Sequence, residues 1–171
     1  MEVAQTLVND IQAGTNDDGD QLLTFLLAGE EYGVDILRVQ EIKGWDSVTP
    51  IPNTPAYIKG VINLRGTIVP IIDLRLRFSL DSIEYGPTTV VIVLRVEHEG
   101  RSRIMGIIVD AVSDVYNVPE EGMIPSPDFG AAVNTEYVSG LMTVDEKMII
   151  GLDIDRLLNA DEMSAVDHAA Q

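Results

Sequence analysis

The chain has 171 residues, a formal net charge of -17, 46% apolar residues and no cysteine. That length bounds it to one ordinary domain or two small ones, and the missing thiols exclude a disulfide framework, a thiolate nucleophile and a Cys-ligated zinc or iron–sulfur centre. With 11 Lys and Arg against 28 Asp and Glu, nucleic acid and anionic lipid are disfavoured partners, because both demand clustered cations.

Residues 1–20 carry five acids (Glu2, Asp10, Asp17, Asp18, Asp20) and no base. With the linker-like "AGTNDDGDQ" they read as a flexible acidic tail. The opening "MEVAQTLVNDIQAG" lacks the basic start and apolar run of a signal peptide. No apolar window reaches the roughly 18 residues that a membrane span needs, so the expectation is a cytoplasmic protein without direct membrane insertion.

"QLLTFLLAGEEYGVDI" reads as strand, tight turn at Gly29-Glu30-Glu31, strand. "ILRVQEIKGW" continues extended, with Val39 and Glu41 on one face and Gln40 and Ile42 on the other. The proline-broken stretch that follows cannot be a central strand. Within it "NTPAYIKG" predicts one or two helical turns, capped by Asn53 or Thr54, with Pro55 at the first position and Gly60 at the exit. "GVINLRGTIVPII" is a hairpin, and "DLRLRFSL" a short helix capped by Asp73.

The second half opens with another hairpin, "TTVVIVLRVEHEGRSRIMGIIVDAV", whose turn looks long. A Pro- and Gly-rich loop, "NVPEEGMIPSPDFGAAVNT", leads to a further hairpin, "EYVSGLMTVDEKMIIGLDI". "DIDRLLNADEMSAVDHAA" is helix-like, with Ile154, Leu157 and Leu158 spaced to dock one face and residues 159–171 forming the helix end and tail.

The halves resemble each other. "YIKGVINLRGTIVPIIDL" (57–74) aligns without a gap on "YVSGLMTVDEKMIIGLDI" (137–154), with Tyr57/Tyr137, Gly60/Gly140 and Asp73/Asp153 identical. "GVDILRVQEI" (33–42) aligns on "GIIVDAVSDV" (106–115). Alternation alone imposes apolar periodicity but not these anchors, so two similar β subdomains follow in tandem. The approximate division is 21–85 and 86–158, with termini free to cross over. Units this small are marginal alone and should share a core. Their seam is then a natural binding groove. At the hairpin tip the repeat changes sign: "NLRG" in the first copy is "TVDE" in the second, Arg65 against Asp145. A tip whose chemistry the fold does not require is a candidate for function.

Catalytic signatures do not assemble. His98 lies in the turn "VEHEG" and His168 in the C-terminal tail, neither with a partner at metal-ligand spacing. Nucleophile-elbow, phosphate-loop and dinucleotide patterns are missing. Of the carboxylate pairs, Asp73 and Asp153 read as helix caps, and Asp110 shares a face with Asp114 only if that strand runs straight. Binding remains. Phe129, after "PSPD", is either a barrel-end plug or an interface anchor.

"FLLAGEEYGVDILRVQEI", "IPNTPAYIKGVINLRGTIVPIIDLR", "TVVIVL" and "NTEYVSGL" together resemble the CheW family of chemotaxis coupling proteins, from about residue 20 onward. The resemblance implies an all-β fold of two five-stranded SH3-like barrels around a shared core, with short helices and a C-terminal helix. It implies no enzymatic activity and no cofactor or metal. It also implies two partners: the cytoplasmic tips of methyl-accepting chemoreceptors and the regulatory domain of the histidine kinase CheA, with CheW–CheW ring contacts in membrane receptor arrays. Carried over by matching motif, the receptor-binding candidates are Val39, Glu41, Ile42, Asn63, Leu64, Arg65, Gly106 and Val112. The kinase-binding candidates are Asp128 and Phe129. Alternatives of other kinds are a coupler of a non-flagellar chemosensory pathway and a ligand-binding β-barrel protein.

Overall fold

The structure is a computed structural model that describes residues 21–119, 123–124 and 137–158. Ten strands form two five-stranded sheets. In chain order they are β1 (Gln21–Leu27), β2 (Glu30–Asp35), β3 (Val39–Gly44), β4 (Ile58–Leu64), β5 (Thr67–Asp73), β6 (Val90–His98), β7 (Arg101–Val109), β8 (Ala111–Asn117), β9 (Val138–Val144) and β10 (Lys147–Leu152). Two short helices, α1 (Leu74–Arg77) and α2 (Ile154–Leu158), follow β5 and β10, and a 3₁₀ turn (Ile36–Arg38) joins β2 to β3.

One sheet runs β3-β6-β7-β5-β4 and is the central barrel; the other runs β8-β1-β2-β10-β9 and is the terminal barrel. The contiguous division at 85/86 therefore needs correcting. The chain does comprise two successive sets of five strands, but each barrel takes two strands from one set and three from the other. The 3₁₀ turn carries the chain from the terminal to the central barrel, and a bend at Asp110 carries it back.

The pseudo-repeat is exact in its hydrogen bonding. Asp73 N–H donates to Tyr57 O at 2.7 Å, and Asp153 N–H to Tyr137 O at 2.8 Å. Val61 bridges to Thr49 as Leu141 does to Ile124. Gly60 (φ 147°) and Gly140 (φ 158°) sit where a Cβ would strike the backbone of that bridging segment, at 2.2 Å from Thr49 O and 3.0 Å from Ile124 O. This close approach explains the glycine anchors. Asp73 and Asp153 cap α1 and α2 by accepting from Leu76 N–H and Arg156 N–H, both at 3.2 Å. The tyrosine anchors flank one cation: Arg77 lies 5.1 Å from the Tyr57 ring centroid and 4.9 Å from that of Tyr137, and donates to the Tyr137 hydroxyl.

Alternation along the strands sorts side chains into three cores. Phe25, Tyr32, Ile42, Ile72, Ile92, Leu94, Ile107, Leu152 and Leu157 belong to one cluster shared between the barrels. Val69, Ile71, Val91, Val93 and Ile108 fill the central barrel; Leu22, Met142 and Ile149 fill the terminal one.

Local expectations fail where turn chemistry decides. The first hairpin turns at Ala28-Gly29 (φ 52° and 82°), leaving Glu30 and Glu31 in β2. Residues 53–60 form no helix; turns lead directly into β4 at Ile58, because Gly60 is needed in the strand as the close-approach position. The β6–β7 connection is not long: it is a two-residue tip, Glu99-Gly100, on nine-residue strands paired out to His98 and Arg101.

Candidate functional site

β3 and β4 are the outer strands of the central sheet, and closing it brings their edges together. This seam lies within the central barrel and not between the two barrels, where the repeat placed the groove, and two devices span it. Thr49 and Val61 exchange backbone hydrogen bonds of 2.9 Å at one end. At the other, the Arg65 Nη2 donates to Glu41 Oε1 at 2.5 Å. Between them lies a half-open cavity of about 270 Å³, edged by Lys43 and Gly44 on one side and Ile62 and Asn63 on the other, with Val91 of β6 also lining it.

The Arg65 side chain is held out by its backbone. Arg65 and Gly66 have φ of 52° and 88°, the left-handed pair of a two-residue hairpin turn. Asn63 Oδ1 accepts from Gly66 N–H at 2.8 Å, fastening the tip. The Arg65 side chain stays 76% exposed while Glu41 is 22% exposed. One face of the guanidinium is thus engaged and the rest is open to a partner. In the equivalent tip, Asp145 and Glu146 adopt the same backbone hand (φ 49° and 67°) with opposite charge.

The eight carried-over residues fall into three groups. Glu41, Asn63 and Arg65 cluster at the seam. Val39 and Val112, equivalent in the repeat, are half-buried against the shared core at the two crossings, and Leu64 is half-buried against the central core. Ile42 is 3% exposed, and Gly106 is buried in β7, where a Cβ would meet Ile71 Cδ1 at 2.7 Å and Val91 Cγ1 at 2.8 Å. Those two offer no contact surface. Val39 and Glu41 do not form a simple alternating face, since the register shifts between them. Asp128 and Phe129 lie outside the described residues.

Sequence reasoning missed two half-buried ion pairs. Arg75 donates from Nε and Nη2 to Asp110, both at 2.8 Å, and Ala28 N–H donates to the same carboxylate at 2.9 Å. Arg38 donates from Nη1 and Nη2 to Asp155, both at 2.9 Å, joined by Glu97 N–H at 2.8 Å. Each pair ties one crossing to a helix, with reversed polarity: anion on the β7–β8 crossing, cation on the β2–β3 crossing. Burial pushes both carboxyls up, but the guanidinium and backbone donors outweigh it and hold both below the ordinary aspartate range. The available signal was a lone cation in the apolar "ILRV" and an Asp at a strand break. Asp73 also accepts from the hydroxyl of Tyr85, whose ring packs tilted by 58° against Trp45; burial and Asp73 raise the phenol well above its usual range.

Among the described residues no group of three or more His, Asp or Glu side chains is placed to hold a metal. No described helix is long and apolar enough to cross a membrane.

Residues 21–162 match the CheW-like domain. The chain belongs to the CheW family. It is 50% identical over 153 residues to the chemotaxis protein CheW of Klebsiella aerogenes, covering 90% of each chain. It is 35% identical over 147 residues to that of Rhizobium meliloti, covering 86% of this chain and 92% of that one. The crystal structure of the scaffolding protein TtCheW from Thermoanaerobacter tengcongensis superimposes with a TM-score of 0.75 at 34% identity, over 87% of this chain and 94% of the other. The all-β, SH3-like two-barrel reading of the sequence is thereby established.

Proposed function

We propose that this chain is a non-catalytic scaffold that couples chemoreceptor cytoplasmic tips to the histidine kinase CheA, acting in the cytoplasm and recruited to receptor arrays at the membrane. The observation that carries the reading is the seam of the central barrel, where an exposed guanidinium is pinned by a carboxylate beside a groove of mixed polar and aliphatic lining. A receptor tip is a helical bundle with charged flanks. Such a helix can bury aliphatics against Leu64 and the half-buried Val39 while Arg65 and Glu41 fix its register through paired charge. Ile42 and Gly106 act through the shape of β3 and β7, and Val112 through the crossing at β8. Asp128 and Phe129 are assigned to the kinase contact, and ring contacts between copies belong to the same assembly. The family membership and the scaffolding protein among its structural neighbours support this role.

The test is a pull-down with the kinase regulatory domain and a receptor-tip fragment, wild type beside Arg65→Ala. The variant should lose about 2 kcal/mol of receptor affinity, roughly 30-fold, and keep its kinase binding. Phe129→Ser should do the reverse. Binding of the wild type to neither partner, or equal loss of both in each variant, overturns the assignment.

A further inference from the structure

The hairpins β1–β2, β4–β5, β6–β7 and β9–β10 each lie within one sequence repeat. Among the described residues, the named ladders that remain join the first repeat to the second: β1 with β8, β2 with β10, β3 with β6 and β5 with β7. Both half-buried ion pairs also cross between repeats, as does the bond from Arg77 to Tyr137. Neither repeat holds a barrel of its own. The two behave as the subunits of a heterodimer that share one covalent connection.

That connection is a tight turn. Tyr85 is fastened to Asp73 and Trp45, both in the first repeat. Thr89 N–H then donates to Gly86 O at 3.1 Å, and Gly86 N–H to Thr89 Oγ1 at 2.9 Å, before β6 begins. Gly86, Pro87 and Thr88 are exposed. A short hinge between two mutually dependent halves is the setting in which identical chains exchange elements.

We propose that two copies of this chain exchange repeats through the Gly86–Thr89 hinge, so that residues 21–85 of one copy pair with residues 90–158 of the other. The product is a dimer of two complete double-barrel bodies held by two open hinges. It reproduces the ladders and both ion pairs of the monomer, so the forms differ mainly in the local hydrogen bonds of the hinge and in the entropy of association. Exchange is therefore set by local concentration. Each seam is then composite: Glu41 and Arg65 come from one copy and Val91 from the other, and the dimer presents two seams in fixed relation. A bivalent coupler follows from a monovalent one without any new surface.

The chain has no cysteine, so single thiols report on strand neighbours cleanly. Gln21 and Asn117 face each other across β1 and β8, with Gln21 Nε2 donating to Asn117 Oδ1 at 3.0 Å. Full-length Gln21→Cys and Asn117→Cys chains, one carrying a mass tag, are unfolded together in urea, refolded at rising concentration and oxidised. The expected result is a mixed disulfide whose yield climbs with concentration, at twice the 18.7 kDa chain mass, and which is missing when the folded monomers are merely mixed. The doubly substituted chain must cross-link within itself, showing that the thiols are competent. Deleting Pro87 and Thr88 should raise the dimer fraction by about tenfold or more at fixed concentration, since the shortened hinge can no longer turn back. A competent internal cross-link with no mixed disulfide after co-refolding overturns the proposal. So does a shortened-hinge variant that folds as a monomer. If that variant fails to fold, the co-refolding arm decides alone.

Discussion

Removing the carboxylate of Asp110 tests whether the half-buried ion pairs hold the two barrels in register. The group accepts two hydrogen bonds from Arg75 and one from Ala28 N–H, and the pair is 15% and 22% exposed. Breaking a fully buried pair costs about 3–5 kcal/mol because the partner charge is stranded. Here water reaches both side chains, and Arg75 keeps its bond to Asp81 O at 3.0 Å. We therefore expect Asp110→Ala to cost about 2–3 kcal/mol, which lowers Tm by roughly 5–10 °C in a protein of this size. Urea unfolding of Asp110→Ala, Arg75→Ala and the double variant gives the coupling energy directly. A coupling above about 1 kcal/mol is expected. Additive losses within about 0.3 kcal/mol would refute the reasoning and reduce the pair to a packing detail.

Arg65→Ala should shift Tm by no more than a few degrees, because a pair whose cation is 76% exposed contributes at most about 1 kcal/mol; a larger drop would make Arg65 structural. Asp110 and Asp155 both have folded values below their unfolded ones, so their stabilisation is present above the ordinary aspartate range and lost as pH falls through the depressed values. The urea midpoint should fall on acidification below about pH 5, and the drop should shrink in the Asp110→Asn, Asp155→Asn double variant. Gly106→Ala should destabilise by about 1–3 kcal/mol through overpacking, read by the same unfolding assay, since Ile71 and Val91 would have to move. Glu31 is buried with Oε2 unpartnered and Oε1 accepting from Ser113 at 2.7 Å. Joint replacement by Glu31→Leu and Ser113→Ala should leave stability unchanged or raise it by about 1 kcal/mol, and a loss greater than that would show the polar pair to be needed.

The repeat was legible because its anchors have local causes. Gly60 and Gly140 serve a close approach, and Asp73 and Asp153 serve caps; each leaves one residue type at one spacing. Which copy pairs with which was not legible. An exchanged and an unexchanged arrangement bury the same alternating faces, and self-similarity is silent on the difference. The choice rests on the 3₁₀ turn at Ile36–Arg38 and the bend at Asp110, neither of which has a strong sequence signature. Pro55 misled for a related reason: its fixed φ suits a helix start and an extended approach to a strand equally, and Gly60, six residues from Thr54, was needed elsewhere. At the site, Arg65 stood out as a charge the hairpin did not require. Its pairing with Glu41, a candidate only by family resemblance, was not legible, because only closure of the sheet brings β3 against β4.

The same comparison explains why a pseudo-symmetric molecule can be asymmetric in what it binds. Each barrel has a hairpin tip of the same backbone hand and a crossing strand with an acid at the matching position. In the central barrel these are Arg65 and Glu41, and they pair. In the terminal barrel the residues at those places are Asp145 and Asp114, both exposed and both acidic. No cation stands at either place to make the ion pair that Arg65 and Glu41 make. Against a chain that carries -17 overall, the guanidinium of Arg65 is a local inversion of sign at a defined place. Duplication supplied two hairpin tips of the same backbone hand, and one reversed charge makes them electrostatically unlike.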